Sequence, residues 1–184
     1  MNTALVIGAG PAGLMAAETM AAAGMSVTIV DAMPSVGRKF LMAGKSGLNL
    51  TKDEPIEPFI AQFGTIHPMF EEALRDFGPV DVMAWVEDLG QAIFTGSTGR
   101  VFPKAMKASP LLRAWLGKLR AAGVTFQQRW TWTGFDGPSS TFDTPDGVQK
   151  IDPDVTICAF GGASWRRLGA NGNWATQFAN TAPF

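Results

Sequence analysis

Ala4-Leu5-Val6-Ile7-Gly8-Ala9-Gly10-Pro11-Ala12-Gly13 runs an apolar strand straight into G-x-G-x-x-G. An alanine-rich helix is predicted from Leu14 to Ala23. A second apolar strand, Val27 to Val30, then ends on Asp31. Together these make a dinucleotide-binding βαβ unit, with Asp31 18 residues beyond Gly13 against the ~20 expected. Gly8 permits the tight turn off the strand, Gly10 presents no side chain to a pyrophosphate, and Gly13 lets helix and strand pack closely. Pro11 and Ala12 complete the turn, whose helix offers free N–H groups and a partial positive charge to phosphates. Asp31, followed by Ala32, is the candidate acceptor for a ribose diol. An acid there also repels a 2′-phosphate, which disfavours NADP in this pocket. The alternative, a glycine-rich turn in some other α/β fold, leaves Asp31 unexplained.

The rest of the composition sets limits. The 184 residues suffice for a domain with a real core, and 46% hydrophobic against 17% charged residues describes a globular chain. A net charge of −1 gives no reason to expect nucleic acid or an anionic membrane as a generic partner. The expected partner is a small-molecule substrate, and the oligomeric state is open. A single cysteine, Cys158, excludes an internal disulfide and reads as core packing in an apolar strand. The N-terminal residues show no basic region with a cleavage site, and no apolar run is long enough to span a bilayer, so a cytoplasmic location is expected. One His and one Cys rule out a Ser-His-Asp constellation in a nucleophile-elbow context and a Cys/His metal site. His67, before Pro68, reads as a capping or packing residue.

Beyond the βαβ unit, residues 32–54 read as a long loop containing Gly37, Arg38 and Lys39. Helices are predicted over 67–77, 79–89 and 111–122, the last with Ser109 as its N-cap. Short strands flank a Gly96–Gly99 turn, and Val124 to Gln128 is a strand. Residues 130–149 alternate like a β-meander. Val155 to Phe160 reads as another buried strand, ending at Gly161-Gly162. This predicts an α/β, Rossmann-like fold: a parallel sheet with inserted helices and an antiparallel meander. A meander before the returning strand points to the FAD-binding variant rather than an NAD domain of regular βα repeats. Gly161 and Gly162, at the carboxyl end of that strand, are candidate ligand contacts. Arg38 and Lys39 are either neighbours of a flavin or pyrophosphate or an exposed basic pair.

Several blocks, in this order, resemble the HI0933/YhiN group of flavoproteins, the aminoacetone-oxidase-like FAD enzymes. They are the Gly8–Gly13 fingerprint with Asp31, Gly37-Arg38-Lys39 leading to Gly44 through Thr51, Gly99-Arg100-Val101-Phe102-Pro103, and Ala159 through Ser164 with Gly169 and Gly172 beyond. The resemblance spans Met1 to about Trp174. The chain departs from the family's usual Thr at Phe160 and its Arg-Cys at Gly47-Leu48. The resemblance implies FAD as cofactor, with NAD(P)H as a candidate electron donor. It implies that Asn49 and Thr51 approach the flavin, and that the backbone at Trp132 meets the adenine. It also implies an incomplete FAD/NAD(P)-binding domain over 1–184, lacking a substrate-side insertion and the C-terminal part of the FAD domain.

The expected function is the FAD-binding domain of a flavin-dependent oxidoreductase, moving a hydride between a small organic substrate or NAD(P)H and the flavin. The catalytic residues are unknown, and substrate and electron acceptor are open. The alternatives are an NAD-dependent dehydrogenase domain and a non-catalytic cofactor-binding fragment.

Overall fold

A computed structural model describes residues 1–178. The chain divides into two compact units. The first is Met1–Phe40 together with the chain from Gly117 onward, and the second is Leu41–Leu116.

In the first unit, β1 (Thr3–Ile7), α1 (Pro11–Ala22) and β2 (Ser26–Asp31) form the expected βαβ turn. Ala4 to Ile7 are all buried, as a parallel strand covered on both faces requires. Helix α1 starts with Pro11 at its first position, where a missing N–H costs nothing. It stops at Ala23 and at Gly24, whose φ of 80° only glycine adopts without strain.

The second unit follows. Helix α2 (Arg38–Ala43) enters it, and β3 (Thr51–Lys52), α3 (Ile56–Ala61), α4 (Pro68–Asp76), α5 (Pro79–Asp88), β4 (Ile93–Thr95) and β5 (Arg100–Pro103) make up most of it. The stretch 32–54 is therefore not one loop: six residues of it are α2 and two are β3. His67 caps α4, its Nδ1 accepting the Met69 N–H at 3.3 Å. Trp85 of α5 meets Trp115 edge-on at 4.7 Å between centroids. Helix α6 (Ala108–Ala121) leads back to the first unit and begins one residue before Ser109, which lies in its first turn rather than at the N-cap.

The chain then forms β6 (Thr125–Gln128), β7 (Thr131–Asp136), β8 (Ser139–Thr144), β9 (Gly147–Ile151) and β10 (Val155–Cys158). Strands β10-β1-β2-β6 make a parallel four-stranded sheet, and β7-β8-β9 an antiparallel meander. The meander packs on the sheet through Phe142, fully buried with Leu5, Ile7 and Val30. Among the described residues strand β10 pairs with β1 alone and lies at the sheet edge. Val155 is 39% exposed and Cys158 is exposed, which corrects the reading of a buried strand and of Cys158 as core packing. An apolar run reads the same in a central and an edge strand.

The first residues of β1 and β10 are tied by one side chain. Asp154 accepts the Thr3 N–H at 2.7 Å and the Thr3 hydroxyl at 2.9 Å. These bonds, the backbone N–H first, hold its carboxyl below the usual carboxylate range. A carboxyl so lowered contributes its stability above the unfolded-state pKa of ~3.9 and loses it as pH falls through the folded value. Asp154→Ala should lower the melting temperature at neutral pH and speed exchange of the Thr3 amide. The gap to wild type should close below about pH 4; a gap that persists in acid would show that the carboxylate is not its source.

Candidate functional site

The sheet's strand order changes direction beside β1, with β2 on one flank and β10 on the other. Open α/β sheets bind ligands at the carboxyl ends of strands at such a point. There the Gly8 N–H bonds the Val30 carbonyl at 2.7 Å and the Ala159 N–H bonds the Ile7 carbonyl at 2.8 Å. Both the glycine turn and the exit from β10 are thereby fixed to the sheet.

A cavity of about 390 Å³ opens at this edge, and every residue lining it belongs to the first unit. Its floor is the glycine turn. Gly8 has φ of 110°, and a Cβ on it would lie 2.3 Å from the Ala159 carbonyl oxygen. A Cβ on Gly13 would lie 1.8 Å from the Gly8 oxygen, whereas a Cβ on Gly10 would meet nothing within 4 Å. Gly8 and Gly13 are thus glycine because the protein fills the space. Gly10 faces open space, which is how a backbone looks where a ligand must approach closely. Pro11, Ala12, Ala32 and Gly37 also line the cavity.

Asp31 organises this floor. Its Oδ2 accepts the Ala9 N–H at 2.7 Å, its Oδ1 accepts the Met33 N–H at 2.8 Å, and its carbonyl accepts the Trp130 N–H at 3.1 Å. One residue therefore joins the glycine turn, the turn after β2 and the start of the meander. An ionised carboxylate has about four acceptor positions, so two remain for a ligand hydroxyl. The sequence marks Asp31 as a candidate acceptor; its grip on the loop depends on three-dimensional contacts.

Arg38 and Lys39 both line the cavity. The Arg38 Nη1 lies 3.4 Å from the Ser35 hydroxyl, and its buried Nε has no hydrogen-bond partner among the described residues. A Cβ on Gly161 would lie 3.2 Å from the Lys39 Nζ, so the ammonium sits against the Gly161 backbone. Two cations beside a helix N-terminus suit a pyrophosphate.

The remaining wall is aromatic. Trp132 packs on Phe160 at 4.8 Å between centroids, and Phe160 stacks on Trp174 at 5.6 Å. The Trp174 Nε1–H donates to the Gly161 carbonyl at 3.0 Å. The Trp132 Nε1–H is buried without a partner among the described residues. Phe160 thus sits at the centre of a ring stack. Trp130 and the segment from Leu168 to Gln177 also line the cavity. Nothing in their spacing marks them, because the chain there turns through short 3-10 helices with Trp165 left-handed at φ 65°.

Gly162 is exposed and outside the lining, while Gly161 is in it. Asn49 and Thr51 belong to the second unit; Asn49 is exposed, and Thr51 pairs with Val101 in β3. Among the described residues no group of three or more His, Cys, Asp or Glu is placed to hold a metal ion, and no helix is long and apolar enough to cross a membrane.

The chain is similar to several known proteins. It is 33% identical over 99 residues to the ribosomal RNA dihydrouridine synthase of Haemophilus influenzae, a match covering 53% of this chain and 24% of that protein. The chain thus matches about a quarter of that curated relative. Among solved structures it resembles the 3-ketosteroid-Δ4-(5α)-dehydrogenase of Rhodococcus jostii RHA1, with TM-score 0.65 and 15% identity over 86% of this chain and 45% of that one. It also resembles a flavocytochrome c3 fumarate reductase, with TM-score 0.61 and 17% identity over 96% of this chain and 40% of that one. At such identities the likeness is one of fold. Residues 2–182 match the HI0933-like protein Rossmann domain family, and the chain belongs to that family.

Proposed function

We propose that the first unit binds FAD and serves a flavin-dependent oxidoreductase. The observation that carries FAD over NAD is the antiparallel meander between β6 and β10, with Trp130 and Trp132 against the cavity. The chain's residues fit the cofactor. Gly10 leaves room for the pyrophosphate, Arg38 and Lys39 supply its countercharge, and Asp31 keeps acceptor capacity for a ribose. Trp132 offers a buried N–H with no partner among the described residues. FAD would supply hydride chemistry, while the chain binds and orients it through the glycine turn, Asp31 and the Arg38–Lys39 pair. NAD(P)H and a small organic substrate are the proposed partners in that exchange.

A second reading has a specific support, the similarity to a protein named for dihydrouridine formation in ribosomal RNA. In it, a base of RNA replaces the small organic substrate as hydride acceptor.

The purified protein should show flavin absorbance, and its released cofactor should have the mass of FAD. Added FAD should bind at least tenfold tighter than NAD in titration calorimetry. Anaerobic NAD(P)H should bleach the flavin bands. A colourless protein that takes up NAD and not FAD would return the dehydrogenase reading. FAD held without any bleaching would favour a cofactor-binding unit with no turnover of its own.

A further inference from the structure

The net charge of −1 conceals two opposite blocks within the second unit. Residues 53–88 carry nine carboxylates and one Arg, whereas residues 89–116 carry Arg100, Lys104, Lys107 and Arg113 and no Asp or Glu. All four of these cations are exposed, and among the described residues none of them is in an ion pair.

The three-stranded sheet β3-β5-β4 gives two of them a common face. Alternate residues of β5 point to opposite sides. Val101 and Pro103 are buried, so Arg100 and Phe102 point the other way, and Lys104 continues their side. The Lys104 N–H still bonds the Ala92 carbonyl, at 2.8 Å, which keeps it in strand register. Lys52 is directly opposite Arg100 and Phe94 directly opposite Phe102. The two phenylalanine rings stack at 5.7 Å with an interplanar angle of 27°, and Phe94 is 40% exposed. Two carboxylates lie nearby: Glu54 pairs with Lys52 through Oε2, and Asp53 accepts the Thr95 hydroxyl at 3.2 Å. An exposed antiparallel sheet face thus presents stacked aromatic rings between cations.

We propose that this face binds single-stranded RNA, the phosphates lying along Arg100 and Lys104 and a base stacking on Phe94. Charge complementarity selects a polyanion, and the exposed ring selects one whose bases are unpaired. A duplex keeps its bases stacked on one another and offers the ring nothing. The proposal rests on the RNA reading given above, and it supplies that reading with a docking surface on the second unit.

The test uses fluorescence anisotropy of the purified protein with a labelled 12-nucleotide oligouridylate across a salt series. Phe94→Ala should weaken binding about tenfold and leave the salt slope unchanged. The double variant Arg100→Gln, Lys104→Gln should reduce the slope of log K against log salt by about 1.4, since each phosphate contact on a single strand contributes about 0.7. Lys150→Gln, in the meander, should change neither. A blunt RNA duplex should bind at least tenfold more weakly than the single strand. Circular dichroism and flavin content on the same samples confirm that each variant is folded. Equal binding by wild type and both variants, or equal affinity for duplex, overturns this face and leaves the RNA reading standing. A folded, flavin-bearing protein that binds no RNA at low salt overturns both, and the FAD proposal stands.

Discussion

Gly13→Ala is expected to destabilise the first unit by about 3 kcal/mol or more, because its methyl group would sit 1.8 Å from the Gly8 oxygen and 3.2 Å from a Val6 methyl. Neither neighbour can give way: Gly8 is bonded to Val30 across the sheet, and Val6 is fully buried. Gly10→Ala is the informative partner. Its position has φ of −81°, ordinary for alanine, and open space where the methyl would go. Stability should change by no more than about 1 kcal/mol, the scale of an N-cap substitution. FAD affinity should nevertheless fall by about 100-fold, since the methyl takes the space the pyrophosphate needs. Thermal melts and flavin titrations of both variants separate the roles. Undiminished FAD binding by a folded Gly10→Ala protein would mean that the phosphates do not cross this turn.

Asp31→Ala should cost both stability and cofactor. The Ala9 and Met33 N–H groups would each lose their acceptor in a part-buried setting. Together these losses come to about 2 kcal/mol, or a melting temperature lower by roughly 4–8 °C for a chain of this size. Asp31→Asn, which keeps one oxygen acceptor, should lose about half as much. Flavin affinity should drop in both variants, with the alanine protein worse. A melting temperature equal to wild type in Asp31→Ala would show that water replaces the carboxylate on the loop, leaving only a ligand role for this acid.

The parts of the fold that were legible are those with local chemistry. Gly8, Gly10, Gly13 and Asp31 announce the βαβ unit because each occupies a position with a steric or hydrogen-bonding demand. The meander showed through its alternation and its Gly-Pro and Pro-Asp-Gly turns. Helix α2 did not, because Arg38 to Ala43 is less than two full turns and offers no periodicity to count. Two-residue β3 is beneath any pattern. The exposure of β10 depends on which strands lie beside it, which no run of Val-Thr-Ile-Cys encodes. Within the site, Arg38, Lys39 and Gly161 were marked by their types and converge as neighbours of the cavity. Trp130, Trp174 and the Leu168–Gln177 wall were not marked, since they arrive by irregular backbone. The basic sheet face was hidden for another reason: a whole-chain sum cancels blocks of opposite sign.

The pairing of β1 with β10 has a consequence for how this protein comes into being. Thr3 and Asp154 are bonded across 151 residues of sequence, and the cavity wall recruits both Ile7 and Gln177. During synthesis, β1, α1 and β2 emerge before the rest of the first unit, and both edges of the two-stranded sheet stay unpaired until β6 and β10 follow. The second unit then closes on itself within 76 consecutive residues, a local transaction that need not wait. At elongation rates of ~5–20 residues per second, β1 spends roughly 7–30 s without its β10 neighbour. For that interval the nascent chain presents a buried-type strand with free backbone donors and acceptors, the condition under which strands pair wrongly. The cavity is therefore completed only once its last lining residue, Gln177, has been made, and a ligand that bridges its two halves would act as a clasp on the newly made fold.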